Sequence, residues 1–311
     1  MTGDRNADIR VLVTGATGMQ GGAVARALRN AGMDVAALVR APEAAPARAL
    51  AAEGVTLAVG DMEDSASLKA ACAGRDAVFS MQPAPFADPD SERRQARALI
   101  EAARETGVEH MVHTSVSGTG WRERHPDVDA GVTRNYWDSK EDVEAMVRKA
   151  RFAAYTIFKP AFYMENFVAP KAGYMFPHLA EGELLTAAGP DTVLALVAAS
   201  DLGAAVTAAL TDRRRFAGAE IELGGDALTF PEIAAIITRV TGRPVTASCL
   251  PVPEVDARMG RRSWSATQAW LGPVGYPARP EHAAVHGLGL TAFREWADLH
   301  RDGLRAAAGG S

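Results

Sequence analysis

Apolar residues in the first half of the chain fall into short unbroken runs separated by stretches of helical spacing. Residues 9–14 (IRVLVT) form such a run and end in a glycine-rich turn; residues 20–30 follow with Val24, Ala27 and Leu28 on one helical face. The same alternation predicts strands over 34–39, 55–59, 77–81, 110–114 and 153–158, with helices over 47–52, 65–73, 91–106 and 135–150. Runs such as VLV, VAALV and AVF do not alternate polar with apolar, which marks strands covered on both faces and hence a parallel sheet. Right-handed crossovers then give an α/β fold, a doubly wound parallel sheet whose ligands gather at the carboxyl ends of its strands. Those ends fall at Thr14, Arg40, Gly60, 80–82, 114–117 and 159–162.

The second half is less periodic. Residues 161–176 (AFYMENFVAPKAGYMF) are rich in aromatics and Met, and helices are predicted over 201–210 and 230–241. No Pro/Gly/Ser linker separates the halves, so a smaller C-terminal α/β cap is expected on the strand ends. Residues 118–133, with Trp121 and Pro126, read as a mobile lid. Trp264, Trp270 and Trp296 read as core packing or a subunit contact.

Composition narrows the chemistry. The 311 residues hold 33 Lys plus Arg against 38 Asp plus Glu, a net charge of −5, which gives no electrostatic footprint for nucleic acid or an anionic membrane. Residues 1–10 do not read as a signal peptide, and the longest apolar run, 193–199, is far short of the ~20 residues that span a bilayer. A cytoplasmic protein is expected. Cys72 and Cys249 build no disulfide framework, and no Cys/His cluster has ligand spacing, so no metal is expected. Lysines stand only at positions 69, 140, 149, 159 and 171, which makes each one worth asking about.

Gly15, Gly18 and Gly21 read G-x-x-G-x-x-G between the first strand and the first helix. A phosphate group needs backbone amides without side chains in the way, and the helix dipole favours the anion. Strand before and helix after supply the context that makes this a nucleotide-binding turn. The second strand ends in Val39-Arg40, where an NAD-preferring site expects an acidic residue. Arg40 suits a 2′-phosphate and favours NADP(H), while Glu43 keeps NAD(H) open. The domains expected are an NADP-binding one over 1–160 and a substrate-binding cap over 161–311, partly interleaved with the first.

The segments GATGMQGG, GDMEDSASL, VFSMQP, WDSKEDVE, YTIFKPAFYMENF and VAASDLGAAV, with the VR ending the second strand, resemble the NmrA-like branch of the atypical short-chain dehydrogenase/reductases from about residue 9 to 242. The resemblance implies a Rossmann fold, with Gly15, Thr17, Met19 and Gln20 along a pyrophosphate and Arg40 at a 2′-phosphate. It also implies Asp61 and Met62 beside the adenine, with Gln82, Lys140, Pro160, Phe162 and Asn166 around the nicotinamide and its ribose. The family holds NADPH-dependent reductases of quinones and related carbonyl compounds, and also regulators that bind dinucleotide without turning it over. The resemblance thus leaves two functions open: a reductase of a small apolar conjugated molecule, or a redox sensor acting on a regulatory protein partner. A homo-oligomer stays open in either case.

In the wider superfamily the proton donor is a Tyr followed four residues later by a Lys. That spacing occurs twice here, at Tyr136/Lys140 and Tyr155/Lys159. The second pair lies in a predicted strand, where residues four apart are separated by ~13 Å. The first enters a segment with Val143, Met146, Val147 and Ala150 at helical spacing, where residues four apart are ~6 Å neighbours. Tyr136 and Lys140 are therefore the candidate catalytic pair, although the nearby Asn135, a plausible N-cap, leaves open that Tyr136 sits before the helix begins. Ser115 and Ser117, at the end of the fifth strand, are candidates to hydrogen-bond a substrate carbonyl in the superfamily's Ser role. His113 reads as a core histidine and a reserve proton donor. Phe162, Tyr163, Met164 and Phe167 are candidates for an apolar substrate wall.

Overall fold

A computed structural model of the chain describes residues 8–85, 87–260 and 262–310; the side chain of Trp264 lies outside the described residues. The chain forms two compact units. One comprises the chain through Val116, Asn135–Lys159 and Ala199–Ile221; the other comprises Ser117–Arg134, Pro160–Ala198 and the chain from Glu222 on. Among the described residues no helix is long and apolar enough to cross a membrane.

The first unit is built on strands β1 (Arg10–Val13), β2 (Asp34–Val39), β3 (Thr56–Val59), β4 (Ala77–Ser80), β5 (His110–Thr114), β6 (Ala154–Pro160) and β7 (Ala219–Leu223). They lie in the order β7-β6-β5-β4-β1-β2-β3, and the pairings from β6 through to β3 are parallel. Helices α1 (Met19–Asn30), α2 (Ala45–Ala52), α3 (Ser65–Cys72), α4 (Ser91–Glu105), α5 (Arg134–Lys149) and α6 (Ala199–Thr211) flank the sheet. This is the mostly parallel, Rossmann-like α/β sheet that the unbroken apolar runs predict. The central strands β4 and β5 are buried along their whole length, whereas the edge strand β3 has Val59 62% exposed. Leu12, Leu38, Leu68, Val78, Leu99, Met111, Val147 and Ile157 form one continuous core.

The strand order reverses between β1 and β4, where such sheets open a crevice for ligands. A side chain pins this point. Thr14, fully buried, accepts from the Met81 N–H at 2.8 Å and lies 2.9 Å from the Met81 carbonyl. The carboxyl ends of β1 and β4 are thereby held in register.

Three expectations change. The sheet has a seventh strand, β7, whose sequence AEIEL alternates exposure instead of forming a buried run. Helix α5 begins at Arg134, so Asn135 is inside it and Tyr136 belongs to its first turn. Residues 118–133 are not a bare lid: they contain a helical turn, Trp121–Arg124, and a 3-10 turn, Gly131–Thr133. Trp121 is fully buried within the second unit, edge-on to Trp270 at 5.9 Å, and a segment anchored by an indole is not free to swing.

The second unit has a three-stranded sheet of Phe162–Tyr163, Val193–Val197 and Asp226–Thr229, and a parallel pair of Glu183–Thr186 with Thr246–Cys249. Its helix Phe230–Thr241 starts on a capping box, Thr229 with Glu232, and stops at Gly242 at φ +71°. Phe167 stacks on Phe176 at 4.8 Å and meets Phe162 and Phe293 edge-on.

Candidate active site

The glycine turn delivers its amides uncovered. Gly15 sits at φ +64°, a left-handed conformation natural to glycine. A Cβ on Gly21 would stand 2.4 Å from the Gly15 carbonyl oxygen, so the first turn of α1 lies directly on the loop. Gly18 is the N-cap of α1 and brings no side-chain cap. The amides of the first turn and the positive end of the dipole thus remain for an anion. Thr17 and Gly18 are exposed and Met19 half-buried. Gln20 faces the sheet, its Oε1 accepting from the Thr114 hydroxyl at 3.1 Å.

Around this turn the other candidates separate by environment. Arg40 is exposed at the end of β2 and meets no carboxylate among the described residues; Glu43 is exposed three positions on. Asp61 and Met62 are half-buried after β3, and Ser67 anchors that loop by accepting from the Asp61 N–H at 3.0 Å. Gln82 follows β4 and is buried. Its Nε2 donates to Ser80 at 3.0 Å, while its Oε1 is buried with no hydrogen-bond partner.

His113 shares that Ser80. Its Nδ1 lies 3.1 Å from the Ser80 carbonyl and its Nε2 is buried without a partner. Burial, helped by the nearby Lys140 charge, pushes its pKa down to about 3. At neutral pH the ring therefore has no spare proton to release, which removes it as a reserve acid.

Tyr136 and Lys140 are brought together on α5, with the Lys140 ammonium 5.6 Å from the centre of the Tyr136 ring. Sequence reasoning missed the third member. Glu92, in the first turn of α4 and wholly buried, accepts from the Lys140 ammonium at 2.5 Å and from the Ser139 hydroxyl at 2.6 Å. The buried lysine thus has a protein carboxylate as partner. A signal was present: Glu92 lies on the buried stripe of Ala96, Leu99 and Ala103, where a carboxylate demands a counter-charge.

Ser115 is committed elsewhere. Its hydroxyl donates to the buried Glu144 at 2.6 Å, and Glu144 also accepts from Arg148 at 2.7 Å and Lys159 at 3.1 Å. With its one proton used, Ser115 does not donate to a substrate carbonyl in this arrangement. Lys159, 12% exposed, is closed in by Glu144 and by Glu220 at 3.0 Å. Tyr155 and Lys159 lie on β6, as the strand reading has it. Ser117 belongs to the second unit, where its hydroxyl accepts from the Ala278 N–H.

The residues expected around the nicotinamide from the second half all lie in the second unit. Pro160 is buried and Asn166 half-buried. Phe162 and Tyr163 are each 7% exposed, and Met164 and Phe167 are fully buried. The last two are members of that unit's core.

Two orphaned buried acceptors, uncapped helix amides, a lysine with N–H groups to spare and an unpaired surface guanidinium together fit a dinucleotide. Phosphates answer the amides and the guanidinium, and hydroxyl or amide hydrogens answer the acceptors. Among the described residues no three His, Cys, Asp or Glu side chains gather as a metal would require.

A family model described as the NmrA-like family matches residues 7–278. The chain is 33% identical over 249 residues, 80% of each protein, to the NAD(P)H azoreductase of Xenophilus azovorans. It is 30% identical over 312 aligned positions, 94% of this chain and 98% of the relative, to the (4-alkanoyl-5-oxo-2,5-dihydrofuran-3-yl)methyl phosphate reductase of Streptomyces griseus. Its fold matches the NADPH complex of the Escherichia coli NADPH-dependent quinone oxidoreductase with a TM-score of 0.71 at 25% identity, over 93% of this chain and 99% of the other.

Proposed function

The chain belongs to the NmrA-like family, and we propose that it is an NADPH-dependent oxidoreductase that reduces a small conjugated apolar acceptor of the quinone, azo or enone kind. The observation that carries this reading is the row of unmatched hydrogen-bonding groups along the carboxyl ends of β1, β2, β4 and β5: the α1 amides, Arg40, Gln82 and His113. The similarity to three reductases supports it from outside the structure.

The reduced nicotinamide supplies the hydride when bound. The protein does the rest. The α1 amides hold the pyrophosphate, Arg40 forks onto a 2′-phosphate, and Lys140 donates to ribose hydroxyls through the two N–H groups that Glu92 leaves over. Tyr136 is the proton donor, its ring centre 5.6 Å from the Lys140 ammonium.

The test is NADPH consumption against a panel of quinones, azo compounds, enones and simple ketones. Turnover is expected with the conjugated acceptors, falling by about tenfold or more in Tyr136→Phe and Lys140→Ala, the scale of a lost general acid. Tight NADPH binding without turnover of any acceptor would overturn the reading and leave a dinucleotide-sensing regulator in its place.

A further inference from the structure

The buried pair of Glu92 and Lys140 carries an inference about how this site is kept in working order, and it rests on the proposal that Lys140 contacts the cofactor. Glu92 has no exposure and Lys140 only 7%, so neither charge is solvated and each depends on the other. The carboxylate is fully used: one oxygen takes the ammonium at 2.5 Å, the other the Ser139 hydroxyl at 2.6 Å. The two donors are adjacent residues on α5, and the acceptor comes from α4, so the carboxylate holds the Ser139 hydroxyl and the Lys140 ammonium from one side. The Tyr136 ring on its own helix and the buried His113 on β5 also lie near the ammonium.

We propose that Glu92 is a positioning residue: its carboxylate fixes the Lys140 ammonium in place to donate its two remaining N–H groups to the hydroxyls of the bound dinucleotide. Glu92 itself touches neither cofactor nor acceptor. A carboxylate serving only to stabilise the fold would leave the cofactor affinity of a folded Glu92→Gln or Glu92→Asp unchanged.

The test is the NADPH dissociation constant, read from the fluorescence of the bound dihydronicotinamide between pH 6 and 9, for the wild type, Glu92→Gln, Glu92→Asp and Lys140→Met. In Glu92→Gln, binding should be about tenfold weaker at pH 7 and weaken further toward pH 9, as an ammonium buried without a counter-charge gives up its proton earlier. Glu92→Asp keeps the charge but draws the ammonium back by one methylene, so it should fold with nearly unchanged thermal stability and still bind severalfold more weakly. This variant decides the matter should Glu92→Gln fail to fold. Weak binding in Lys140→Met with wild-type affinity and pH dependence in a folded Glu92→Gln, or wild-type affinity in Glu92→Asp, would overturn the positioning role alone. Wild-type affinity in Lys140→Met would overturn the lysine contact and the positioning role together.

Discussion

The Ser115 hydroxyl donates to Glu144 at 2.6 Å, tying the end of β5 to a buried carboxylate that also receives Arg148 and Lys159. Removing the hydroxyl leaves one Glu144 lone pair unmet where water does not reach. Ser115→Ala is expected to cost about 1.5–3 kcal/mol of unfolding free energy in a urea titration, the scale of a hydrogen bond to a charged group. Turnover of the folded fraction should fall far less than in Tyr136→Phe. A loss of kcat equal to that of the tyrosine variant, without loss of stability, would return Ser115 to the chemistry.

Gly21 tests the phosphate turn in a way that charge changes do not. An added methyl meets the Gly15 carbonyl oxygen at 2.4 Å, and backbone has no rotamer to escape by. Gly21→Ala is expected to lose about 1–3 kcal/mol of stability through overpacking and to weaken NADPH and NADH alike, because it displaces the amides common to both. Calorimetric titration with the two cofactors checks this, and a change confined to one of them contradicts it.

Arg40 should do the opposite and discriminate. It is exposed, without a carboxylate partner among the described residues, and free to fork onto a 2′-phosphate. Arg40→Ala is expected to weaken NADPH by about ten- to a hundredfold and NADH hardly at all. Equal losses for the two would remove the 2′-phosphate assignment and favour a role for Glu43.

Two buried histidines set the acid side of stability. Burial, with the charge of Arg213 nearby, brings His110 down to about 4, and burial with Lys140 brings His113 to about 3. An unfolded histidine titrates near 6.5, so below that pH the unfolded chain takes up protons that the folded chain refuses. Stability is therefore whole above pH 6.5 and falls as the pH drops toward the folded values. Each residue contributes a slope of about 1.4 kcal/mol per pH unit in that window. Urea midpoints from pH 7.5 to 5 should show this decline, and His110→Gln with His113→Gln should flatten it.

Much of the fold is legible in the sequence because a strand buried on both faces shows it as an unbroken apolar run. The strand AEIEL that becomes β7 half-faces solvent and alternates its two glutamates with apolar residues, so it shows no unbroken apolar run. The glycine turn is legible for a similar reason, since its requirements are local. The Glu92–Lys140 pair is not. Its members are 48 residues apart, and only the placing of α4 beside α5 joins them. Each is visible alone as a charge out of place on an apolar stripe; their partnership is a fact of topology. Ser115 shows the converse: its position at a strand end suggests chemistry, and its neighbour Glu144, 29 residues on, claims it.

Helix α6 and strand β7 enter the first unit only after the chain has made Pro160–Ala198 of the second. Gly203 of α6 sits so close to α1 that a Cβ there would lie 2.8 Å from the Ala23 carbonyl oxygen. During synthesis, then, the helix that carries the phosphate turn waits without its small-residue partner, and β6 waits as an open edge, until residues 199–223 emerge. An open parallel edge is a template for any neighbouring chain, so the interval between β6 and β7 is the stretch of translation in which this protein is most exposed to mispairing.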